Sequence, residues 1–154
     1  MKIKYALAAF AAAALALPAQ AQMVSAKDPQ SVVAALQAKG FQAELGTTAG
    51  EPSIVSGAGG VKFSIFFENC TDGKACTTVS FVTGFTDVDA TLDQVNDWNR
   101  KNRFARAYID AEDDPVLKMD VDLDHQGLTR ASFGEYVDIW SALAPKYLAF
   151  LREK

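Results

Sequence analysis

The sequence is poor in the residue types that most chemistry needs. It has one histidine, His125, and two cysteines, Cys70 and Cys76. Two thiols and one distant imidazole cannot fill a tetrahedral zinc site, and the C-x5-C spacing is not the C-x-x-C of thiol oxidoreductases. There is no G-x-S-x-G elbow, and "GAGG" at 57–60 lacks the Lys-Ser/Thr and the following helix of a phosphate loop. His125, just past a strand pattern and before Gly127, reads as a loop residue rather than a general base. Carboxylate pairs for glycoside chemistry can be assembled from any set of 19 acids, so their presence selects nothing. No catalytic residue, metal site or cofactor is assigned, and the chain reads as non-enzymatic. Beyond residue 21 it also lacks any apolar run near the ~20 residues that cross a bilayer.

What is present begins with a leader. "MKIKYALAAFAAAALALPAQAQ" carries Lys2 and Lys4, an apolar run from Ala6 to Leu17, then Pro18 and the small-residue site Ala19-Gln20-Ala21. This is the pattern of a signal peptide over 1–21, with cleavage expected after Ala21. No cysteine adjoins the site, which excludes lipid attachment there. The remaining 133 residues, 22–154, suffice for a single domain. Loss of the two lysines leaves 13 cations against 19 acids, a formal charge of −6. That sign disfavours nucleic acid, and no membrane contact is expected after cleavage. The leader pattern predicts export and does not by itself separate the periplasm from the medium.

Along the mature chain, Asp28-Pro29 and Gly40 bracket a helix over about 29–39. "FQAEL" and "PSIVS" read as short strands. Cys70 and Cys76 flank "TDGKA" and in an oxidising compartment should bond to one another. With the two facing each other, Phe67 falls opposite Val79, Ile65 opposite Phe81, Phe63 opposite Thr83 and Val61 opposite Phe85, all on one side of a hairpin. Lys62, Ser64, Glu68, Thr78 and Ser80 take the other side. Val88, Leu92, Val95 and Trp98 then recur at helical spacing, with acids early and Arg100, Lys101 and Arg103 late, as the helix dipole favours. "RFARAYID" reads as a strand with Ala105, Ala107 and Ile109 on one face and Phe104, Arg106 and Tyr108 on the other. "VLKMDVDLD" alternates with Leu117, Met119, Val121 and Leu123 inward. Pairing Ile109 with Leu117 sets Arg106 opposite Asp120, and a two-residue shift sets it opposite Lys118 or Asp122. Phe133, Val137, Trp140, Leu143, Tyr147 and Leu151 mark a long C-terminal helix, capped by Thr129 or by Ser132 with Glu135. Pro145 should kink or divide it. The order α-β-β-β-β-α-β-β-α indicates a two-layer α+β domain with an antiparallel sheet.

"WNRKNRFARAYID", 98–110, concentrates four cations and three aromatics. An anion or nucleic-acid patch would use both. Position accounts for them more simply: Trp98 and Phe104 pack, the cations end a helix, Arg106 has an acid beside it, and Asn96 and Asn99 satisfy backbone at the joint. The run "DVDLDHQG" has the first ligand positions of a calcium loop, but His125 replaces its glycine and Ala131 its last glutamate. On a strand those aspartates spread over ~13 Å, too far for one ion.

"VNDWNRKNRFARAYIDAEDDPVLKMDVDL", after a hairpin ending "VSFVTGF" and before a helix centred on "IW", resembles the YbjN-domain family of bacteria. The likeness spans about Asp28 to Leu151, and its most specific residues are Asn96, Trp98, Asn99, Arg103, Phe104 and Arg106. It implies a fold like that of type III secretion chaperones, the label of a sensory transduction regulator, and a periplasmic location with secretion as the alternative, and it supplies no established catalytic or ligand residues to carry over. Among residues without a structural reading, Phe66 and Val82 are out of place on the hairpin's polar side, and Phe104, Arg106 and Tyr108 share a face. If all strands form one sheet with the helices behind it, these five make an aromatic patch. The expected function is a non-enzymatic exported binding or regulatory module, acting through that patch on a protein partner or a second copy. The alternatives are a periplasmic chaperone-like holder of exported chains and an envelope enzyme with an unrecognised site.

Overall fold

A computed structural model describes residues 22–153, so the expected leader, 1–21, lies outside the described residues. The elements run β1 (Met23–Val24), α1 (Pro29–Ala38), β2 (Ala43–Thr48), β3 (Glu51–Ala58), β4 (Val61–Glu68) and β5 (Thr78–Gly84). They continue with α2 (Leu92–Lys101), β6 (Arg106–Ile109), β7 (Pro115–Asp122), β8 (Leu128–Thr129) and α3 (Arg130–Arg152). This is the α+β order expected, with two short strands added: β1 and β8 pair with each other and tie the first residues to the start of α3. Their two-residue length leaves no periodicity to detect.

The other six strands form one antiparallel sheet in the order β2-β3-β4-β5-β7-β6. Cys70 is bonded to Cys76, and the hairpin above them holds the expected register, with Phe67 opposite Val79 and Ile65 opposite Phe81. Alternation then decides which face is buried. Val61, Phe63, Ile65, Phe67, Val79, Phe81, Leu117, Met119 and Val121 are all buried, on the face against which the helices pack. Trp140 of α3 lies 5.8 Å from Phe63 and 5.6 Å from Phe81 between ring centroids. Trp98 of α2 meets Tyr147 of α3 at 4.8 Å.

Each helix begins at a cap. Asp28 accepts from Gln30 N, and Thr129, the earlier of the two expected positions, caps α3 by accepting from Ser132 N. Helix α2 starts at Leu92, later than the apolar spacing implies, because Thr91 and Gln94 form a reciprocal capping box. Val88 therefore precedes the helix, and Leu92 stands 68% exposed rather than on its inner face.

Pro145 does not divide α3, which runs unbroken as one helix of 23 residues. Trp140 and Ala144 before it and Tyr147 and Leu151 after it are buried along the same stripe. Burial at ~1.5–3 kcal/mol for each large apolar side chain outweighs the ~3 kcal/mol cost of an interior proline. The proline ring lies against the β3–β4 turn, where a Cβ on Gly59 would come within 2.6 Å of Pro145 Cγ. Gly59 also has φ of +56°, so two independent constraints hold glycine there.

The Tyr147 hydroxyl is buried and meets no hydrogen-bonding group among the described residues. Burial pushes its pKa up to about 12. Replacing Tyr147 by Phe removes an unsatisfied polar atom while keeping the ring contacts, so the variant should be more stable than the parent by about 1 kcal/mol in urea denaturation. A loss of stability would show that the hydroxyl is satisfied.

Candidate functional site

The helices leave one face of the sheet uncovered. Register places Glu44, Val55, Ser64, Val82, Lys118 and Arg106 side by side across all six strands on that face. In the next row Ser53, Phe66, Ser80 and Asp120 adjoin. Phe66 and Val82 are therefore neighbours at the centre of the open face, where both are half-buried. Val55, 51% exposed, extends their apolar surface toward β2. Sequence reading passed over Val55, although strict alternation with the buried Ile54 could have placed it outward. Tyr108 lies at the opposite side, on β6, 37% exposed. Phe104 is more exposed still, at 62%, but it precedes β6 and has φ of +72°. It thus stands outside the strand alternation that was expected to align it with Arg106 and Tyr108.

Between the apolar centre and Tyr108 runs a chain of charges. Lys118 Nζ donates to Glu68 Oε1 at 3.0 Å, Arg106 donates to Asp120 Oδ2 at 2.5 Å, and the Ser80 hydroxyl donates to Asp120 Oδ1 at 2.5 Å. Burial works to raise the Asp120 carboxyl, but the hydrogen bonds from Ser80 and Arg106 and the charges of Arg106 and Lys118 outweigh it and hold it below its ordinary value. The acid beside Arg106 is as expected, but it is reached diagonally: Arg106 lies opposite Lys118, and Ile109 opposite Pro115. The two-residue difference arises in the turn. The Asp110 carboxylate accepts from Glu112 N at 3.0 Å and Asp114 N at 2.9 Å, and Asp113 takes φ of +67°. A tighter loop than Ile109 opposite Leu117 would need closes the hairpin. Further acids serve the chain in the same way: Asp122 accepts from Asp124 N, and Asp124 from His125 N.

The 98–110 motif is a joint. Trp98 is buried against Tyr147 and Phe150. Asp97 pairs with Lys101 at 2.7 Å and Arg100 at 3.2 Å. Arg103 lies over the Phe104 ring at 5.6 Å. The Asn99 amide grips Ala107 of β6 from both sides, accepting from its N–H at 2.8 Å and donating to its C=O at 3.0 Å. Those two groups are what an edge strand would otherwise present outward. Asn96 does not share this task; it is exposed, and Asn102 instead bonds the Trp98 carbonyl.

Residues 28–153 match a family model described as "Putative bacterial sensory transduction regulator". The chain belongs to the YbjN family. No curated protein and no solved structure matches it. In this YbjN chain the described residues include a bonded Cys70–Cys76 pair and no helix long and apolar enough to cross a membrane.

Two outcomes follow. Asn99→Ala strands the Ala107 N–H and C=O and should cost about 1–3 kcal/mol in denaturant melts; an unchanged midpoint would show that water replaces the amide. Because the Asp120 pKa is depressed on folding, its contribution is present above the unfolded value near 4 and is lost as pH falls through the lower folded value. The stability difference between the parent and Asp120→Asn should therefore be constant near neutrality and shrink below about pH 4.

Proposed function

We propose that this YbjN-family protein is a non-enzymatic exported regulatory module that acts by protein contact through the open sheet face. The observation that carries the reading is the uncovered centre of Val55, Phe66 and Val82 beside a row of paired charges. An apolar centre rimmed by polar groups is the anatomy of a protein-binding surface. Solvated ion pairs such as Arg106–Asp120 and Lys118–Glu68 contribute little to stability, yet they orient charge for a complementary partner. Export to the periplasm is supported by the leader pattern of 1–21 and by a disulfide, which persists in oxidising compartments.

A photo-crosslinking residue placed at Val55 or Tyr108 in the native cell should capture a discrete protein adduct, whereas one at Glu135, exposed on α3, should not. Tyr108→Asp should abolish the adduct formed from position 55 without lowering the melting temperature. Adducts of equal strength from both sides of the molecule, or from neither, would overturn the reading. The intact mass of the periplasmic protein should correspond to a chain beginning at Gln22.

A further inference from the structure

Gln22, the first described residue, is also the residue that removal of the leader would place at the mature terminus. Its main chain is held in place. The Gln22 carbonyl accepts from Arg130 N at 2.9 Å, and the next residue, Met23, pairs with Thr129 as β1 meets β8. Gln22 itself is exposed, at the lip of an open cleft of about 300 Å³ whose walls include Asp28, Gln30, Ser31 and Arg130.

Two helices begin at this cleft. Gln30 and Ser31 belong to the first turn of α1, and Arg130 is the first residue of α3, so the positive ends of both helix dipoles meet there. The Arg130 guanidinium adds a full positive charge, and its Nε is buried with no acceptor among the described residues. One acid, Asp28, stands in the wall, and its Oδ1 is already engaged by Gln30 N as the α1 cap. Such a place suits a carbonyl oxygen and penalises a cation. Cleavage after Ala21 would nevertheless create an α-ammonium in it. We propose that Gln22 closes on itself as a pyroglutamyl residue once the leader is removed.

The inference rests on the cleavage assigned to 1–21 in the exported reading. The step is internal and needs no co-reactant. The lone pair of the free α-amine attacks the side-chain Cδ of Gln22, an N–Cδ bond forms and the Cδ–Nε2 bond breaks. The amide nitrogen leaves as ammonia, carrying the proton given up by the amine. The product is a neutral lactam, which removes the terminal charge and keeps a carbonyl oxygen beside the donors of Arg130. The charges that penalise the ammonium also favour the uncharged amine, and the uncharged amine is the nucleophile. Because Arg130 N and β8 fix the main chain, only the exposed side chain has to fold back. An α-ammonium paired with the second oxygen of Asp28 is the competing outcome.

Mass spectrometry of the protein exported from cells expressing the full chain tests it. The intact protein should be lighter than an unmodified chain of 22–154 by one ammonia, and fragment ions of the tryptic peptide 22–27 should place the loss on Gln22. Protein isolated after brief induction in the cold should complete the loss on warming. That rate should fall several-fold in guanidinium chloride and in Arg130→Gln, and should recover in Arg130→Lys, which keeps the charge. Gln22→Ser, which retains the ammonium, should melt below the parent. A chain beginning at Gln22 that keeps its free amine on warming would overturn the inference, as would a rate unchanged in guanidinium chloride or in Arg130→Gln. A chain beginning at any other residue would overturn it through the cleavage on which it rests, and the two failures give different masses.

Discussion

Trp140 lies against Phe63 and Phe81, and most of the molecule is arranged so that this contact and its neighbours stay dry. Period-two alternation on β4, β5 and β7 supplies one apolar surface, and the stripe of α3 from Phe133 to Leu151 supplies the other. Dispersion and hydrophobic burial across that layer are strong enough to carry a helix through Pro145. They also tolerate indole and phenol polar atoms without partners among the described residues, at Trp98, Trp140 and Tyr147. Three helices suffice to cover one face of six strands, so the other face is left to water or to a partner.

That asymmetry makes the sheet's margins the informative part of the structure. On β6 the backbone is completed by a side chain, Asn99, delivered by the last turn of α2. The same turn buries Trp98 one residue earlier, so packing of the helix and masking of the edge are a single placement. The cations that follow then complete the helix end and meet Asp97. A run of sequence that looks like an anion-binding motif is thereby accounted for by the structural work of one joint. Among the described residues β2 has no comparable device, and its outer edge is left unpaired.

The chain belongs to the YbjN family, and its open sheet face is the surface we propose for protein contact. The open face combines half-buried Phe66 and Val82, exposed Val55 and an ion-paired strip.

The sequence by itself determined what depends on local periodicity and on short-range covalent or capping chemistry. The Cys70–Cys76 hairpin register, the inward sets on β4, β5 and β7, the cap at Asp28 and the element order were all legible, whereas the sequence left the α3 cap open between Thr129 and Ser132. Each is decided by residues close together in the chain. The family signature was legible too, as a pattern of residues rather than as contacts. Only the tertiary structure decided the matters that depend on competition between distant groups. Packing on both sides of Pro145 keeps α3 undivided. A carboxylate-closed turn at Asp110 moved the β6–β7 register by two residues. Backbone at Phe104 left the strand alternation. The pairing of Met23–Val24 with Leu128–Thr129, more than a hundred residues away, joined segments too short to announce themselves. Strand order within the sheet settled which edge is sealed and which is open. Edge exposure is a property of neighbours, and no residue carries it alone.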